Sequence, residues 1–237
     1  MTAPRQSRLP RGFLIAIEGI DGAGKTTQAA MLAEKLKALS LDVVSSKEPT
    51  SGPWGTIIRA SAHSGRLTPE EELEAFVEDR KQHVEEVIAP ALARGAVVIL
   101  DRYYFSTATY QGARGIDAGA ILAANEQFAP RPNLLVIIDL DPADALKRIG
   151  VRDGRGNEFE TLEGLRAVRH GFDALGEPYT IARVDGSDAV EAVHAQLWEA
   201  VRARLEEEIL RAAREVVSDA SIPVEEKAAQ LRQRLIA

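Results

Sequence analysis

The chain has 237 residues, a length that suits one α/β domain or, less readily, two small ones. It contains no cysteine, which excludes disulfides and thiolate zinc sites and favours a reducing compartment. The net charge of -7 argues against broad nucleic-acid binding, although it leaves room for a local basic pocket that holds phosphates.

Residues 1–12 form a predicted basic tail, and the apolar run behind them is short. Residues 13–17 are too few for a signal peptide or a membrane span, and they predict a first strand that is buried on both faces. We therefore expect a cytoplasmic protein that does not associate with membranes.

The next segments alternate between helical and extended patterns. Apolar residues spaced by three and four predict a helix up to Leu39, and Val43-Val44 begins a second strand. A loop rich in proline and glycine is expected over 49–55. Thr68 is a predicted N-cap for a helix that begins at Pro69 and runs to about Ala93.

Three more strands are predicted, at 96–100, 134–139 and 179–184. Strands that alternate with helices indicate a three-layer α/β fold, with a parallel sheet of about five strands and helices on both faces. We expect one domain over 13–204. Residues 205–237 read as a charged helical extension that is broken near Pro223.

A phosphate-binding loop follows the first strand, where residues 19–26 fit G-x-x-x-x-G-K-[ST] completely. Its backbone N–H groups can cradle phosphates at a helix N-terminus. Lys25 can reach the β and γ phosphates of ATP, and Thr26 can bind Mg²⁺. The predicted ATP-binding residues are Gly19, Ile20, Asp21, Gly22, Ala23, Gly24, Lys25, Thr26 and Thr27.

The motif alone indicates only a nucleoside triphosphate. No Asn-Lys-x-Asp motif for guanine is present, and the chain is short for an AAA-type ATPase. A kinase and a regulatory protein that binds ATP without turnover both stay open at this point.

An acidic residue closes the third strand. In a parallel sheet, the carboxyl end of a strand faces the ligand crevice, so Asp101 is placed to hold Mg²⁺ through water. Arg102 follows at once and can clamp a phosphate with two parallel hydrogen bonds. The alternative is a solvated pair at the end of the strand.

The helix after Pro69 carries a charge on its apolar face. Arg80 lies seven residues after Leu73 and four after Phe76, so it shares their side of the helix. An acid could pair with it, or it could point into a polar pocket where Phe76 stacks on a flat ring. It could also reach solvent from the edge of the face.

Several segments match a known family in order and spacing. They are Glu18-Gly-Ile-Asp-Gly-Ala-Gly-Lys-Thr-Thr27, Glu48-Pro49, Phe76-x-x-x-Arg80-x-x-His83, Asp101-Arg-Tyr103, Ser106-Thr107, Tyr110-Gln-Gly112, Pro130-x-Pro132-x-Leu134 and Phe159-Glu160. Through them the chain resembles bacterial thymidylate kinases over roughly residues 12–200. The resemblance implies a P-loop nucleoside monophosphate kinase fold with a lid, and transfer from Mg-ATP to dTMP.

The resemblance also implies roles for single residues. Phe76 would stack on thymine, Arg80 would bind its carbonyl edge, and Thr107 and Gln111 would contact the base. Tyr110 would close on the sugar, and Asp21 would bind its 3′-hydroxyl. Arg102 and Arg59 would hold the acceptor phosphate, with Glu48 near the metal and sugar.

The chain departs from the family where members often read Glu-Pro-Gly-Gly-Thr. Here the sequence is Glu48-Pro-Thr-Ser-Gly-Pro-Trp-Gly55, so the loop near the acceptor phosphate is rebuilt. An acceptor other than dTMP, such as dUMP or a nucleoside, therefore stays open as the alternative.

A basic segment after the fourth strand resembles the family's lid, at about 148–158. Because Gly22 leaves the P-loop without a basic residue at that position, the family pattern implies that the lid supplies the catalytic arginines. Arg152 is the first candidate, followed by Arg148 and Arg155. The resemblance further implies a homodimer.

Overall fold

The computed structural model describes residues 9, 11–64, 67–153, 161–218, 223 and 226, and for 62–64 and 151–153 it describes the backbone alone. Residues 154–158 of the expected lid, which include Arg155, therefore lie outside the described residues, as do the side chain of Arg152 and most of the residues beyond Ser218.

Five parallel strands form one sheet in the order β2-β3-β1-β4-β5. They are β1 (Phe13–Glu18), β2 (Val43–Lys47), β3 (Val97–Asp101), β4 (Leu134–Asp139) and β5 (Ile181–Asp185). The central strand β1 is buried along its whole length, because both of its neighbours and both layers of helices cover it. The predicted α/β fold with a parallel sheet of five strands is confirmed.

Helices connect the strands. They are α1 (Lys25–Ala38), α2 (Pro53–Ser64), α3 (Pro69–His83), a π-helical turn (Val84–Ile88), α4 (Ala89–Ala93), α5 (Tyr104–Gly112), α6 (Ala118–Asn125), α7 (Pro142–Asp153), α8 (Leu162–Asp173) and α9 (Val190–Ser218). α1 and α9 contact each other, whereas α3, α6 and α8 each contact α5. None of the helices in the described ranges combines the length and apolar character needed to cross a bilayer.

The start of α3 follows its sequence signals closely. The Thr68 hydroxyl accepts a bond from the backbone N–H of Glu71, whose side chain accepts from the N–H of Thr68. This reciprocal capping box, with Pro69 in the first turn, fixes where the helix begins. The helical course continues to Ala93 as predicted, with the π turn inserted.

The predicted loop over 49–55 is wrong in its second half, because α2 already begins at Pro53. Proline suits the first turn of a helix, where its missing N–H leaves no bond unmade. Gly55 is required there because an added Cβ would lie 2.0 Å from the carbonyl oxygen of Thr50. The glycine and proline thus allow α2 to begin in close contact with the backbone of Thr50.

α9 passes the expected boundary at residue 205 without a break. Leu205, Ala212 and Val216 are buried, so this stretch of the helix packs against the rest of the protein. Near the other terminus, Arg11 forms an ion pair with Glu215 at 3.0 Å. The described parts of both terminal segments therefore lie together.

Candidate active site

The phosphate-binding loop joins β1 to α1 and holds three glycines with positive φ, at Gly19, Gly22 and Gly24. At Gly22, an added Cβ would lie 2.7 Å from the carbonyl oxygen of Ala145, so a side chain there would also clash. The curled backbone opens towards the N-terminus of α1, which favours negatively charged groups.

Lys25 is buried and lies inside this loop. Its Nζ donates to the carbonyl oxygens of Gly19 and Ile20 at 3.0 and 2.8 Å. Burial, followed by the charge of Arg102, lowers the pKa of Lys25 to about 8. The ammonium group therefore lies in surroundings that an incoming polyphosphate would make more favourable.

Thr26 and Asp101 meet at the carboxyl end of the sheet. The Thr26 hydroxyl donates to Asp101 Oδ2 at 2.5 Å. Hydroxyl and carboxylate oxygens are the hard ligands that Mg²⁺ prefers, so the donor set fits this ion. Both residues line a cavity of about 550 Å³, which the P-loop also lines.

Arg102 has a left-handed backbone with φ of 72°, which is unusual for a residue other than glycine. Its guanidinium donates to the carboxylate of Asp21 and to Ser106 Oγ, the latter at 3.0 Å. Tyr110 donates to the second Asp21 oxygen at 3.0 Å. Although burial opposes the charge, Tyr110 and Asp21 together raise the pKa of Arg102.

Arg80 lies in a buried network. Its Nε and Nη2 donate to one oxygen of Glu48 at 2.8 and 2.6 Å. Nη1 donates to Asn125 Oδ1 at 2.6 Å, and Nη2 to Thr107 Oγ1 at 3.0 Å. The other Glu48 oxygen lies 3.0 Å from Nδ1 of His83. An acid does pair with this arginine, which also lines a cavity.

That second cavity, of about 200 Å³, lies beside the P-loop cavity. All nine residues predicted for the acceptor site line it: Asp21, Glu48, Arg59, Phe76, Arg80, Arg102, Thr107, Tyr110 and Gln111. The two cavities share five residues, which are Asp21, Glu48, Pro49, Arg59 and Arg102. A molecule in the smaller cavity would thus lie next to one in the larger cavity, with Arg59 and Arg102 beside both.

The family model described as "Thymidylate kinase" matches residues 17–197. The chain belongs to the thymidylate kinase family. It is similar to the thymidylate kinase of Xylella fastidiosa (strain M12), with 55% identity over 72% of this chain and 78% of the relative. It is also 50% identical to that of Xanthomonas campestris pv. campestris (strain B100), over 83% of this chain and 87% of the relative. The resemblance drawn from the motifs is confirmed.

Membership of the thymidylate kinase family makes the chain a nucleoside monophosphate kinase by class.

In its rebuilt loop, the backbone N–H and hydroxyl of Thr50 donate to the two carboxylate oxygens of Asp79 at 2.7 and 2.6 Å. Trp54, expected near the acceptor phosphate, lies on α2 and is 38% exposed. The loop is therefore anchored to α3 through Asp79, which the sequence patterns did not point out.

Glu18 is a second residue that the site prediction missed. It is fully buried and accepts bonds from Tyr103 N at 2.7 Å, Ser106 N at 3.1 Å and Ser106 Oγ at 2.5 Å. It thereby caps the N-terminus of α5, and burial raises its pKa to about 7. Its signal in the sequence is an acid at the end of an otherwise apolar strand.

Arg59 and Arg148 lie at the edge of the larger cavity. Arg59 donates to the carbonyl oxygen of Pro49 at 3.0 Å, on the side shared with the smaller cavity. Arg148 lies within α7, so this part of the expected lid is helical, and it donates to the carbonyl oxygen of Gly186 at 2.9 Å. The predicted roles of Arg152 and Arg155 fall outside the described side chains.

Proposed function

We propose that this protein phosphorylates dTMP to dTDP with ATP, by direct in-line transfer and without a phospho-enzyme, as a step in dTTP synthesis. The observation that carries the proposal is the pair of adjoining cavities, one lined by the P-loop and one by the residues predicted for a nucleotide acceptor. Two substrates held in line would leave little for the protein to supply beyond position and charge.

At the donor end, the P-loop backbone binds the ATP phosphates and Lys25 reaches the β and γ groups. Thr26 and Asp101 would hold Mg²⁺, which neutralises phosphate charge when it is bound. Transfer spreads negative charge over the moving phosphoryl oxygens, so fixed positive groups lower the barrier.

At the acceptor end, Phe76 stacks on the thymine ring. Arg80 donates to a ring carbonyl, and its guanidinium is already oriented by Glu48 and Asn125. Thr107 and Gln111 contact the remaining polar edge of the base. Each side chain lines the same cavity or bonds to one that does, which supports a single flat ligand there.

The sugar and phosphate of the acceptor lie towards the P-loop. Tyr110 closes on the sugar and Asp21 accepts from its 3′-hydroxyl, while Glu48 lies near the sugar and the metal. Arg102 and Arg59 hold the acceptor phosphate, since both line the boundary shared by the two cavities. Both guanidinium groups can therefore bridge donor and acceptor phosphates.

We assign the catalytic arginines to the lid over about 148–158, with Arg152 first and Arg148 and Arg155 next. Lid closure would exclude water, which otherwise hydrolyses ATP without transfer. For Arg148 this role requires release of its bond to Gly186, which a phosphate oxygen would replace.

We also propose that the protein is a cytoplasmic homodimer. Trp54 and Ile57 are neighbours on α2, and both are well exposed. A second copy of the chain would cover this apolar face. Sedimentation of Trp54→Lys and wild type tests the pairing, since the variant is expected to shift towards monomer and an unchanged dimer would contradict the use of this face.

The test of the reaction is ADP release with Mg-ATP against dTMP, dUMP, dCMP and thymidine. We expect ADP to form with dTMP at a kcat/KM at least about tenfold above the other acceptors. No acceptor-dependent ADP from dTMP would remove the proposal, and preference for another acceptor would assign the rebuilt loop a role in selection.

A further inference from the structure

A polar cluster lies at one side of the acceptor cavity, and two of its three members, Glu72 and Arg114, have no role in the proposal above. It consists of Glu72 on α3 with Gln111 and Arg114 at the end of α5. Glu72 and Gln111 are both almost fully buried and line the cavity. Gln111 Nε2 donates to Glu72 Oε2 at 2.7 Å, and Arg114 Nη1 pairs with the same oxygen.

This cluster restricts the orientation of the Gln111 amide. An ionised carboxylate can only accept, so it requires the –NH₂ end of the amide on its own side. Arg114 Nη1 lies 3.4 Å from Gln111 Oε1, and a guanidinium can only donate, so it favours the same orientation. A flipped amide would place two acceptors together beside Glu72 and two donors beside Arg114.

With that orientation fixed, Gln111 Oε1 keeps a lone pair that can accept from a donor on a base in the cavity. Thymine and uracil carry a donor at the ring N3, whereas the N3 of cytosine is an acceptor. A fixed carbonyl therefore binds an imide base and repels cytosine, because two acceptors would face each other.

We infer that Glu72 is a specificity-determining positioning residue, which selects imide pyrimidines over cytosine by holding the Gln111 amide in one orientation. The inference rests on the proposed contact between Gln111 and the base. Glu72 itself does not take part in the transfer, and it acts on the acceptor only through Gln111.

The test uses Glu72→Gln, which keeps the size of the side chain. A glutamine at this position can accept or donate, so both orientations of Gln111 become possible. We expect the ratio of kcat/KM for dTMP to that for dCMP to fall by about tenfold. The ratio for dTMP to dUMP should not change, because both bases carry the N3 donor. Glu74→Gln is the matched control, since it removes the same charge from an exposed position on the same helix.

An unchanged dTMP-to-dCMP ratio in Glu72→Gln would overturn the inference, whether or not overall activity falls. A purely structural role would lower activity on all three acceptors alike. If the variant does not fold, Glu72→Gln with Arg114→Gln removes both charges of the ion pair together, and the same ratio decides.

An assay of the wild-type protein with N3-methyl-dTMP tests the proposed contact between Gln111 and the base separately from the role of Glu72. Efficient phosphorylation of that analogue would remove the contact between Gln111 and N3, and with it the role of Glu72. Rejection of the analogue with an unchanged ratio in Glu72→Gln would leave the contact in place and remove Glu72 alone.

Discussion

The P-loop takes its residues from one short run of sequence, whereas the acceptor cavity draws on α3, α5, the loop after β2 and the P-loop itself. The first region binds with backbone N–H groups whose direction follows from a local turn. The second depends on buried charges that are placed by pairing with one another, as in Arg80 with Glu48.

Because of this difference, substitutions in the two regions should affect activity and stability to different extents. Lys25 bonds to backbone carbonyl oxygens rather than to an acid, so its loss breaks no ion pair and should change the reaction more than the stability. In the acceptor region, the same ion pairs stabilise the fold and shape the cavity, so a single substitution should change both.

The largest effect is expected at the donor end. Lys25→Ala should lower kcat by about a thousandfold or more, because the β and γ phosphates lose their main positive side chain. The midpoint of thermal unfolding and the Kd for dTMP should stay close to wild type. Lys37→Ala, at an exposed position of the same helix, is the control. A variant that retains kcat within about tenfold would contradict the role of Lys25.

At the acceptor end, Arg80→Met should lower the free energy of unfolding by about 3 to 5 kcal/mol, because Glu48 stays buried without its main partner. Arg80→Met with Glu48→Gln should lose less than the sum of the two single variants. Urea unfolding of all four proteins measures the coupling. Strict additivity would mean that the pair does not act as a unit.

At the donor end, the strand, the glycine-rich turn and the helix were predictable because their signals are local. Gly24, Lys25 and Thr26 lie next to each other, and a predicted strand and helix flank them. The positions of the strands along the chain and the cap at Thr68 were predictable for the same reason. Tertiary contacts were then needed only to bring Asp101 beside Thr26.

The partners at the acceptor end could not be predicted in this way. Arg80 and Glu48 are separated by 32 residues, and nothing in either segment specifies the other. The helix pattern left an acid, a pocket and solvent as destinations for Arg80, and the structure combines the first two. The hydrogen bonds between Thr50 and Asp79 could not be predicted either, because the sequence shows that the loop is altered but not which residue binds it.

Glu18 lies between the two regions, because it precedes the P-loop and accepts hydrogen bonds at the start of α5. We expect it to affect stability, as the buried charges of the acceptor cavity do. Its folded pKa of about 7 exceeds the ordinary 4.5, so it stabilises the fold fully at low pH and loses this contribution as the pH rises through 7. Between about pH 4.5 and 7, the free energy of unfolding of the wild type should therefore fall by about 3 kcal/mol relative to that of Glu18→Gln. Unfolding free energies at several pH values measure the difference, and parallel profiles would contradict it.

The lid offers the sharpest test of the division between donor and acceptor ends. Arg152→Ala should lower kcat by about a hundredfold, because positive charge is lost from the transition state, while the Kd for dTMP changes little. Arg166→Ala, an exposed arginine on α8, is the matched control. If Arg152→Ala instead weakens dTMP binding and leaves kcat unchanged, the lid belongs with the acceptor end. The catalytic charge would then have to come from Lys25 and the arginines that line the shared boundary of the two cavities.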